Sequence, residues 1–554
     1  MKIRPSTLAG HIAAAGIVLS LAARAQTPAP TAGPSTPIQH LVVIFQENAS
    51  FDHYFGSYPF AQNNEGEPAF FAFPNTPSVN GLSPAYYSNN LNATNSANGT
   101  GAASPFRLDR SQAATSDQDH DYMAEQIAYH SGLADLFPMA TGTAGPPPTS
   151  LPIASTTGIV MGYYDGNTVT ALWNYAQHYA MSDNSYGSVF GPSTPGALNV
   201  IAGQTNGVIN NLNGTGALIA DGSGGMTDIS DADPAGDICS TTTGEVFSMS
   251  GTNIGDLLNT AGVTWGFFNG GFDTTVTNPN GTTGCARSTT SLVTNTKKAD
   301  YIPHHQPFQY YKSTQNLMHT RPTSVAMIGK QGDAANHQYD INDFYAAISA
   351  GNFPAVSYLK APGFQDGHPG YSDPIDEQAW IVHVINFLQQ QPAWASTAVV
   401  IAWDDSDGWY DHQMPPLVNT SATAADAVTG TGTCGSGTSA LGGVASGTAH
   451  AQGRCGYGPR VPLLVISPYA KQNFVDHTIS DQSSVVKFIE DNWLNGQRIG
   501  QGSFDAIAGT LDNMFNFEAA PNTTSFMLSE SSGQPVNPTQ SATPQNSLKR
   551  HVTK

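Results

Sequence analysis

Two short apolar runs, each followed at once by carboxylates, constrain the fold of this chain more than any other feature. Ile38 to Phe45 reads IQHLVVIF, and Ala398 to Trp403 reads AVVIAW. A near-continuous apolar run of this length is typical of a strand buried on both faces of a parallel sheet. Ligands of such sheets gather beyond the carboxyl ends of the strands, so the residues that follow these two runs are the first candidates for function.

The other apolar segments extend the same pattern along the chain. Four more buried strands are predicted, at Val263–Phe268, Ser324–Ile328, Ala355–Leu359 and Val461–Ile466, with helices at Asp376–Gln390 and Ser483–Trp493. Strands that alternate with helices predict an α/β fold, in which a mostly parallel central sheet is covered by helices on both faces. Long polar loop insertions are expected at 61–104, 205–300 and 413–458, within a catalytic domain that spans residues 38–520.

The two ends of the chain differ from the body. Lys2 and Arg4, an apolar stretch from Leu8 to Ala22 and the small residues around Arg24 are typical of a signal peptide over residues 1–25. A membrane anchor is the alternative, but the apolar run is short for a span and a Pro-rich linker (26–37) follows it. We therefore expect an exported protein, periplasmic or secreted, with no stable membrane anchor. Residues 521–554 are polar and are expected to be disordered.

Charge and cysteines narrow the range of partners. The chain has 20 Lys and Arg against 41 Asp and Glu, a net charge of -21, which disfavours nucleic acid as a partner.

Four cysteines in an exported chain suggest disulfides. We favour Cys239–Cys285 and Cys434–Cys455, because each pair closes a polar, Gly-rich insertion. A zinc site is the alternative, but no C-x-x-C spacing supports it.

Carboxylates and an amide lie directly after the runs IQHLVVIF and AVVIAW. Glu47 and Asn48 follow the first strand, and Asp404 and Asp405 follow the second. Adjacent carboxylates repel each other unless a cation or a proton separates them, and oxygen ligands suit hard or borderline divalent metals. The alternatives are an Asx-type helix start at Asn48 and an ordinary acidic turn at Asp404.

A serine marks a second candidate element. In FGPSTPGALN, residues 190–199, Ser193 follows Gly-Pro at the predicted start of a helix. Backbone N–H groups there favour a phosphate oxyanion, and a nearby metal would make the hydroxyl a nucleophile. The alternative is an ordinary N-cap serine.

Histidines complete the candidate set. His120 lies in DQDHDY, His304 and His305 lie in PHHQPFQYY, and His368 lies in DGHPGYSD. Imidazolium groups can neutralise phosphate oxygens or protonate a leaving alkoxide. Most surface histidines have no such role, but His368 follows a predicted strand by a short loop.

Taken together, these segments resemble a known family. IQHLVVIFQENASFDHYFG, FGPSTPGALN, HHQPFQYY, GHPGYSD and VVIAWDDSDGWYDH resemble, in order, the motifs of the bacterial phosphoesterase family of secreted acid phosphatases and phospholipases C, within the alkaline-phosphatase-like superfamily. The resemblance implies one divalent metal, zinc or calcium. It assigns Glu47, Asn48, Asp404, Asp405 and Ser193 as metal ligands, with Ser193 also the nucleophile that forms a phosphoseryl intermediate. It assigns His120, His305 and His368 to the substrate phosphate, with His305 preferred over the adjacent His304.

Details of the motifs favour the acid phosphatase branch. Phospholipases C of the family tend to have Thr where this chain has Ser193, an Asn-Arg pair that it lacks, and Asp-Glu-His-Gly-Gly where it has DDSDGWYDH. The expected substrates are small phosphorylated compounds, with phospholipid head groups as the alternative. In the acid phosphatase branch the three histidines are expected to act as cations, with most activity below neutral pH. A non-enzymatic binding protein with a decayed site is a further alternative.

Overall fold

A computed structural model describes residue 1 and residues 33–142, 157–444 and 451–536. Residues 2–25 of the predicted signal peptide, most of the predicted linker, and residues 537–554 lie outside the described part. The linker's last residues contact the body, where the backbone N–H groups of Ser35 and Thr36 donate to the backbone and side-chain oxygens of Asn492.

Eight strands of the described residues form one central sheet. In chain order they are β1 (His40–Gln46), β2 (Ala180–Ser182), β3 (Trp265–Asn269), β4 (Gln338–Asp340), β5 (Val356–Lys360), β6 (Thr397–Trp403), β7 (Leu463–Ile466) and β8 (Phe474–Asp476). Their spatial order is β4-β3-β5-β1-β6-β7-β2-β8. The first five strands in this order are parallel, and β7 is antiparallel to both of its neighbours, β6 and β2. The sheet is therefore mostly parallel, as predicted.

Helices cover both faces of this sheet. The α-helices of the described residues are α1 (Phe51–Phe55), α2 (Pro84–Ser88), α3 (Leu91–Thr94), α4 (Tyr122–Tyr129), α5 (Phe137–Ala140), α6 (Thr170–His178), α7 (Ser193–Ala202), α8 (Ile254–Ala261), α9 (Ile341–Ser349), α10 (Pro374–Gln389) and α11 (Ser483–Trp493). Because side chains alternate along a strand, Val42 and Ile44 pack with α6, α9 and α10, whereas Leu41 and Val43 pack with α7, α8 and α11. The predicted α/β class is confirmed.

Short strand pairs outside the central sheet and two disulfides complete the fold. The short strands pair as Phe106–Arg107 with Gly162–Tyr163, Ser185–Tyr186 with Ser480–Asp481, Leu218–Ala220 with Met226–Asp228, Ser288–Thr290 with Lys297–Ala299, and Val246–Met249 with both Val208–Leu212 and Asp233–Pro234. Cys239 bonds to Cys285 and Cys434 bonds to Cys455, so the predicted pairing is confirmed. No helix in the described part of the chain is long and apolar enough to cross a membrane.

One predicted strand is wrong. Ser324–Ile328 contains a short 3-10 helix, Val325–Met327, and the edge strand next to β3 is instead Gln338–Asp340. Only Ile328 of the predicted segment reaches the core, and Val325 is exposed. An apolar segment with one buried side chain gains too little from burial to hold a place in the sheet.

The expectation of a disordered tail is wrong for residues 521–536. This segment runs along α10, where the Asn386 amide donates to the carbonyl oxygen of Leu528 at 2.8 Å and the Gln389 amide donates to that of Phe526 at 3.0 Å. Phe526 stacks on His178, and Leu528 is buried in the core. Polar composition predicts disorder only where backbone groups have no partners, and the amides of α10 supply them here.

Candidate active site

Adjacent strands bring the two acidic motifs together. β1 and β6 are parallel, and Gln46 pairs with Trp403 at their carboxyl ends. The Asp404 N–H donates to the carbonyl oxygen of Gln46 at 3.1 Å, so the next residues of both strands emerge side by side. Glu47, Asn48, Asp404 and Asp405, placed at this edge by the sequence, are all buried there.

Ser193 lies against these carboxylates. Its hydroxyl donates to Glu47 Oε2 at 3.0 Å and lies 3.2 Å from Asp405 Oδ2. Ser193 is the first residue of α7, directly after Pro192. A proline disfavours the helical conformation of the residue before it, so the helix does not extend further towards the N-terminus. The helix start predicted from the Gly-Pro pair therefore brings the hydroxyl to the strand ends.

Two oxygen atoms at this place have no hydrogen-bond donor. Asn48 Oδ1 and Asp404 Oδ2 are both buried and lack a hydrogen-bond partner among the described residues. Buried polar atoms are rarely left unpaired, and such atoms call for a ligand or an ordered water. With Glu47 Oε2, Asp405 and the Ser193 hydroxyl close by, the oxygen-rich donor set fits a divalent cation.

The backbone N–H groups at the start of α7 are not all free to bind an anion. Asp231, an exposed residue of the 205–300 insertion, accepts hydrogen bonds from the Thr194 N–H at 2.9 Å and from the Thr194 hydroxyl at 3.0 Å. A carboxylate therefore occupies one of the donors that the sequence assigned to a phosphate oxyanion. Nothing in the motif around Ser193 signals this, because Asp231 is distant in sequence.

Two of the predicted histidines lie together beside the carboxylates. The rings of His120 and His368 are 5.9 Å apart, and ligand atoms of these two residues, Asp117 and Asp407 all lie within 4.8 Å of one another. Nδ1 of His120 donates to the carbonyl oxygen of Gln118 at 2.8 Å, and Nδ1 of His368 to that of Pro369 at 2.6 Å. Nε2 of His120 lies 3.3 Å from Nδ2 of Asn48, and Nε2 of His368 is the ring nitrogen that does not bond to the carbonyl oxygen of Pro369.

The structure distinguishes the two adjacent histidines. His305 Nδ1 is 3.2 Å from Glu47 Oε1, whereas His304 Nδ1 is 3.2 Å from Asp233, on the insertion. His305 is thus the member of the pair that contacts the expected ligand set. A second carboxylate oxygen, Asp366 Oδ2, lies 3.8 Å from Nδ1 of His305.

Burial and neighbouring charges together shift the pKa values of these three histidines in different directions. Burial lowers the pKa of His305 well below its usual value, and it also lowers the pKa of His368. Burial opposes protonation of His120 too, but the carboxylates of Asp405 and Asp407 outweigh it and raise the pKa of His120 well above the usual value. Burial therefore disfavours the expected cationic state for His305 and His368, whereas the nearby carboxylates favour it for His120.

The carboxylates respond to crowding. Burial raises the pKa of Asp405 to about 7, and burial with the neighbouring Glu47 raises that of Asp404 well above its usual value. Burial would raise the pKa of Glu47 as well, but the adjacent His305 and the ammonium group of Lys360 hold it well below the usual range. A cation among these groups would relieve the same repulsion that now favours protonation.

A lysine at the centre of this site was not predicted from the sequence. Lys360 is the last residue of β5 and is 1% exposed. Its ammonium group donates to Glu47 Oε1 and lies 3.7 Å from Asp404 Oδ2. The available signal was its position at the carboxyl end of the apolar run VSYLK, the same position that singled out Glu47 and Asp404.

Two further acidic groupings among the described residues already have their partners. Asp237, Cys239 and His319 cannot form a thiolate site, because Cys239 is in a disulfide. In the second grouping, Asp52, Asp411 and His412, the guanidinium of Arg460 lies 3.1 Å from both Asp52 and Asp411. This buried arginine supplies the positive charge that the second grouping needs.

Comparison with known proteins agrees with this geometry. The model of the phosphoesterase family matches residues 38–494, and the chain therefore belongs to that family. It is accordingly a hydrolase that acts on phosphoric ester bonds.

Several curated relatives are phospholipases C of bacteria. Phospholipase C A of Mycobacterium tuberculosis is 24% identical over 515 residues, which are 89% of this chain and 80% of that protein. The non-hemolytic phospholipase C of Pseudomonas aeruginosa is 24% identical over 544 residues, which are 95% of this chain and 64% of that protein. Among solved structures, a protein of the alkaline phosphatase superfamily from Vibrio parahaemolyticus covers 66% of this chain and 76% of its own, with 12% identity and a TM-score of 0.27.

Proposed function

We propose that this protein is a metal-dependent acid phosphatase of broad specificity that acts through a phosphoseryl intermediate on Ser193. The observation that carries the proposal is the hydroxyl of Ser193 at the start of α7, 3.0 Å from Glu47 Oε2 and 3.2 Å from Asp405 Oδ2. Either carboxylate can take the hydroxyl proton as the oxygen attacks phosphorus. The bond from phosphorus to the ester oxygen breaks as the phosphoserine forms, and the alcohol departs with a proton from the solvent. Water then cleaves the phosphoserine, which releases inorganic phosphate and restores the hydroxyl.

The proposed metal centre contains one divalent cation, zinc or calcium. Glu47, Asn48, Asp404, Asp405 and Ser193 would hold it, and the unpartnered oxygens of Asn48 and Asp404 support this set. When bound, such a cation would lower the pKa of the serine hydroxyl and take up charge that develops on the phosphoryl oxygens.

Histidines form the other side of the proposed phosphate site. His120 is the cationic member, because its pKa is raised by the neighbouring carboxylates, and it would bind a phosphoryl oxygen as imidazolium. His368 and His305 would orient the phosphoryl group as neutral imidazoles, and His368 lies close enough to His120 to share one phosphate. Small phosphorylated compounds are the proposed substrates.

A phospholipase C is the second candidate, and two observations favour it. The curated relatives carry that name. In addition, Asp231 and Asp121 are exposed near Ser193 and His120, and carboxylates at this place would attract a cationic head group such as a quaternary ammonium.

An assay of the purified protein distinguishes the two candidates. Hydrolysis of p-nitrophenyl phosphate with a kcat/KM at least about tenfold above that for p-nitrophenylphosphorylcholine is the result expected of a phosphatase. The reverse order identifies a phospholipase C. The assay is run with zinc and with calcium, and the product of the second substrate is analysed for phosphorylcholine.

We also infer that the chain is exported and processed near Gln26. The basic and apolar residues of the N-terminus and the two disulfides support this inference, because disulfides persist in oxidising compartments. N-terminal sequencing of the protein recovered from periplasm and medium tests it, and an unprocessed start at Met1 contradicts it.

A further inference from the structure

Lys360 is a buried cation in direct contact with two of the proposed metal ligands. It ends β5, next to β1 in the sheet, so its side chain emerges beside Glu47 at the strand ends. Its ammonium group donates to Glu47 Oε1, and Asp404 Oδ2 is 3.7 Å away. A lysine this deeply buried requires charged partners, and Glu47, Asp404 and the nearby Asp366 provide them.

The carboxylates at this place carry more charge than one divalent cation can neutralise. Glu47, Asp404 and Asp405 are each at most 4% exposed and together bring three negative charges when ionised. A divalent cation offsets two of them. The ammonium of Lys360 offsets the third, so the divalent cation, these three carboxylates and Lys360 together carry no net charge.

Lys360 also determines which oxygen atoms remain available. Glu47 Oε1 is engaged by Lys360 and by His305, which leaves Oε2, the atom that accepts from Ser193. Asp404 Oδ1 accepts from the backbone N–H groups of Asn48, at 3.2 Å, and Asp405, at 2.9 Å, which leaves Oδ2. The carboxylate oxygens of these two residues without a hydrogen bond from a nitrogen donor are therefore Glu47 Oε2 and Asp404 Oδ2.

We propose that Lys360 is a positioning residue that limits this site to one divalent cation, by neutralising the third carboxylate and by holding Glu47 so that it offers a single oxygen. The proposal rests on the proposed function of the site as a metal-dependent phosphoesterase. Lys360 would supply the positive charge that two-metal sites obtain from their second metal ion.

The sign of the effect on metal binding separates this role from a purely structural one. A fixed positive charge beside the ligands repels the metal and attracts the anionic transition state. Lys360→Met should therefore bind a divalent cation more tightly, by about tenfold or more, while kcat falls by about a hundredfold. Lys360→Arg keeps the charge and should stay within about threefold of wild type in both quantities.

The experiment measures metal affinity and catalysis separately. Wild type, Lys360→Met, Lys360→Gln and Lys360→Arg are freed of metal with a chelator, and Kd for zinc and for calcium is measured by calorimetry. The number of ions bound per chain is taken from the same titrations, and kcat and KM are measured with p-nitrophenyl phosphate. Arg287→Met is the matched control, because it removes another buried cation, paired with Asp300 and Asp340 outside the site.

Tighter metal binding in Lys360→Met or Lys360→Gln, with a lower kcat and near-normal behaviour of Lys360→Arg and Arg287→Met, supports the proposal. A second bound ion in the uncharged variants supports it further. Unchanged or weaker metal binding in both uncharged variants overturns it, and wild-type binding and hydrolysis then still stand as support for the proposed function. A wild type that binds no metal and cleaves no phosphoric ester overturns both.

Discussion

Gly196 of α7 lies directly against the carbonyl oxygen of Asp404. A Cβ atom added at Gly196 would be 2.1 Å from that oxygen and 2.9 Å from the Asp404 Cα. Both obstacles are backbone atoms, which cannot rotate aside as a side chain could. This contact allows the first turn of α7, and with it Ser193, to approach the end of β6.

Gly196→Ala should therefore separate the nucleophile from the metal ligands. We expect kcat to fall at least about a hundredfold, because a displacement of about 1 Å is costly in a catalytic site. The free energy of unfolding should fall by about 1–3 kcal/mol. Kinetics and urea denaturation measure these quantities. Gly33→Ala is the control, because its Cβ would meet no atom of the described residues within 4 Å. Normal kcat in Gly196→Ala contradicts the close contact.

Asp404→Asn should weaken metal binding. The amide preserves the shape of the side chain but removes one negative charge from the donor set. Asp404 Oδ2 is one of the two buried oxygens of this set that accept no hydrogen bond from the described residues. We expect less than one divalent ion per chain after purification without added metal, and a Kd raised about tenfold or more. Elemental analysis and calorimetry provide the measurements. Wild-type metal content in the variant would remove Asp404 from the ligand set.

Asp231→Asn should improve the use of anionic substrates. The amide oxygen can still accept from the Thr194 N–H, so α7 keeps its contact, but the negative charge beside Ser193 is lost. KM for p-nitrophenyl phosphate should fall about threefold to tenfold, with a smaller effect at high salt because the residue is exposed. Asp233→Asn, which alters the partner of His304 instead, is the comparison. A raised KM in Asp231→Asn would indicate that the carboxylate assists binding.

The strands and the acidic ligand set could be predicted because their signals are local. β1 and β6 are continuous apolar runs, and the residues after a strand of a parallel sheet must meet at one edge. Gln338–Asp340 carries no such signal, since it has three residues, two of them polar, and its place at the edge depends on contacts with β3. Lys360 and Asp231 were missed because their roles arise only across neighbouring elements. A lysine at a strand end ordinarily reaches solvent, and only the packed structure shows carboxylates around this one.

Protonation of His53 should destabilise the fold in mild acid. The ring stacks on Trp409 at 3.8 Å, and Nδ1 donates to the carbonyl oxygen of Gly162 at 2.8 Å. Burial lowers the pKa of His53 to about 3, whereas an unfolded imidazole titrates near the ordinary value of about 6.5. The unfolded chain thus binds more protons between these values. Stability from the neutral ring is complete above about pH 6.5 and is lost as the pH falls below it.

The variant His53→Phe isolates this contribution. At pH 7.5 its free energy of unfolding should be about 1 kcal/mol lower than that of wild type, because the hydrogen bond to Gly162 is lost. Below about pH 6 the free energy of unfolding should fall less steeply with pH in the variant than in wild type. The two slopes should differ by about 1.4 kcal/mol per pH unit. Denaturation midpoints at pH 7.5, 6 and 5 provide the test, with His383→Asn as a control for a partly exposed histidine. Parallel pH profiles for wild type and His53→Phe would mean that His53 is not held neutral.

The role of Ser193 is tested most directly by trapping the intermediate. Wild-type protein is mixed with a phosphorus-32-labelled monoester and quenched in acid, and the same is done with Ser193→Ala. We predict acid-stable label on one peptide that contains Ser193 in wild type, and none in Ser193→Ala, whose kcat falls by several orders of magnitude while its unfolding midpoint stays close to wild type. Label that persists in Ser193→Ala, or near-normal turnover by that variant, would contradict the assignment of Ser193 as the nucleophile.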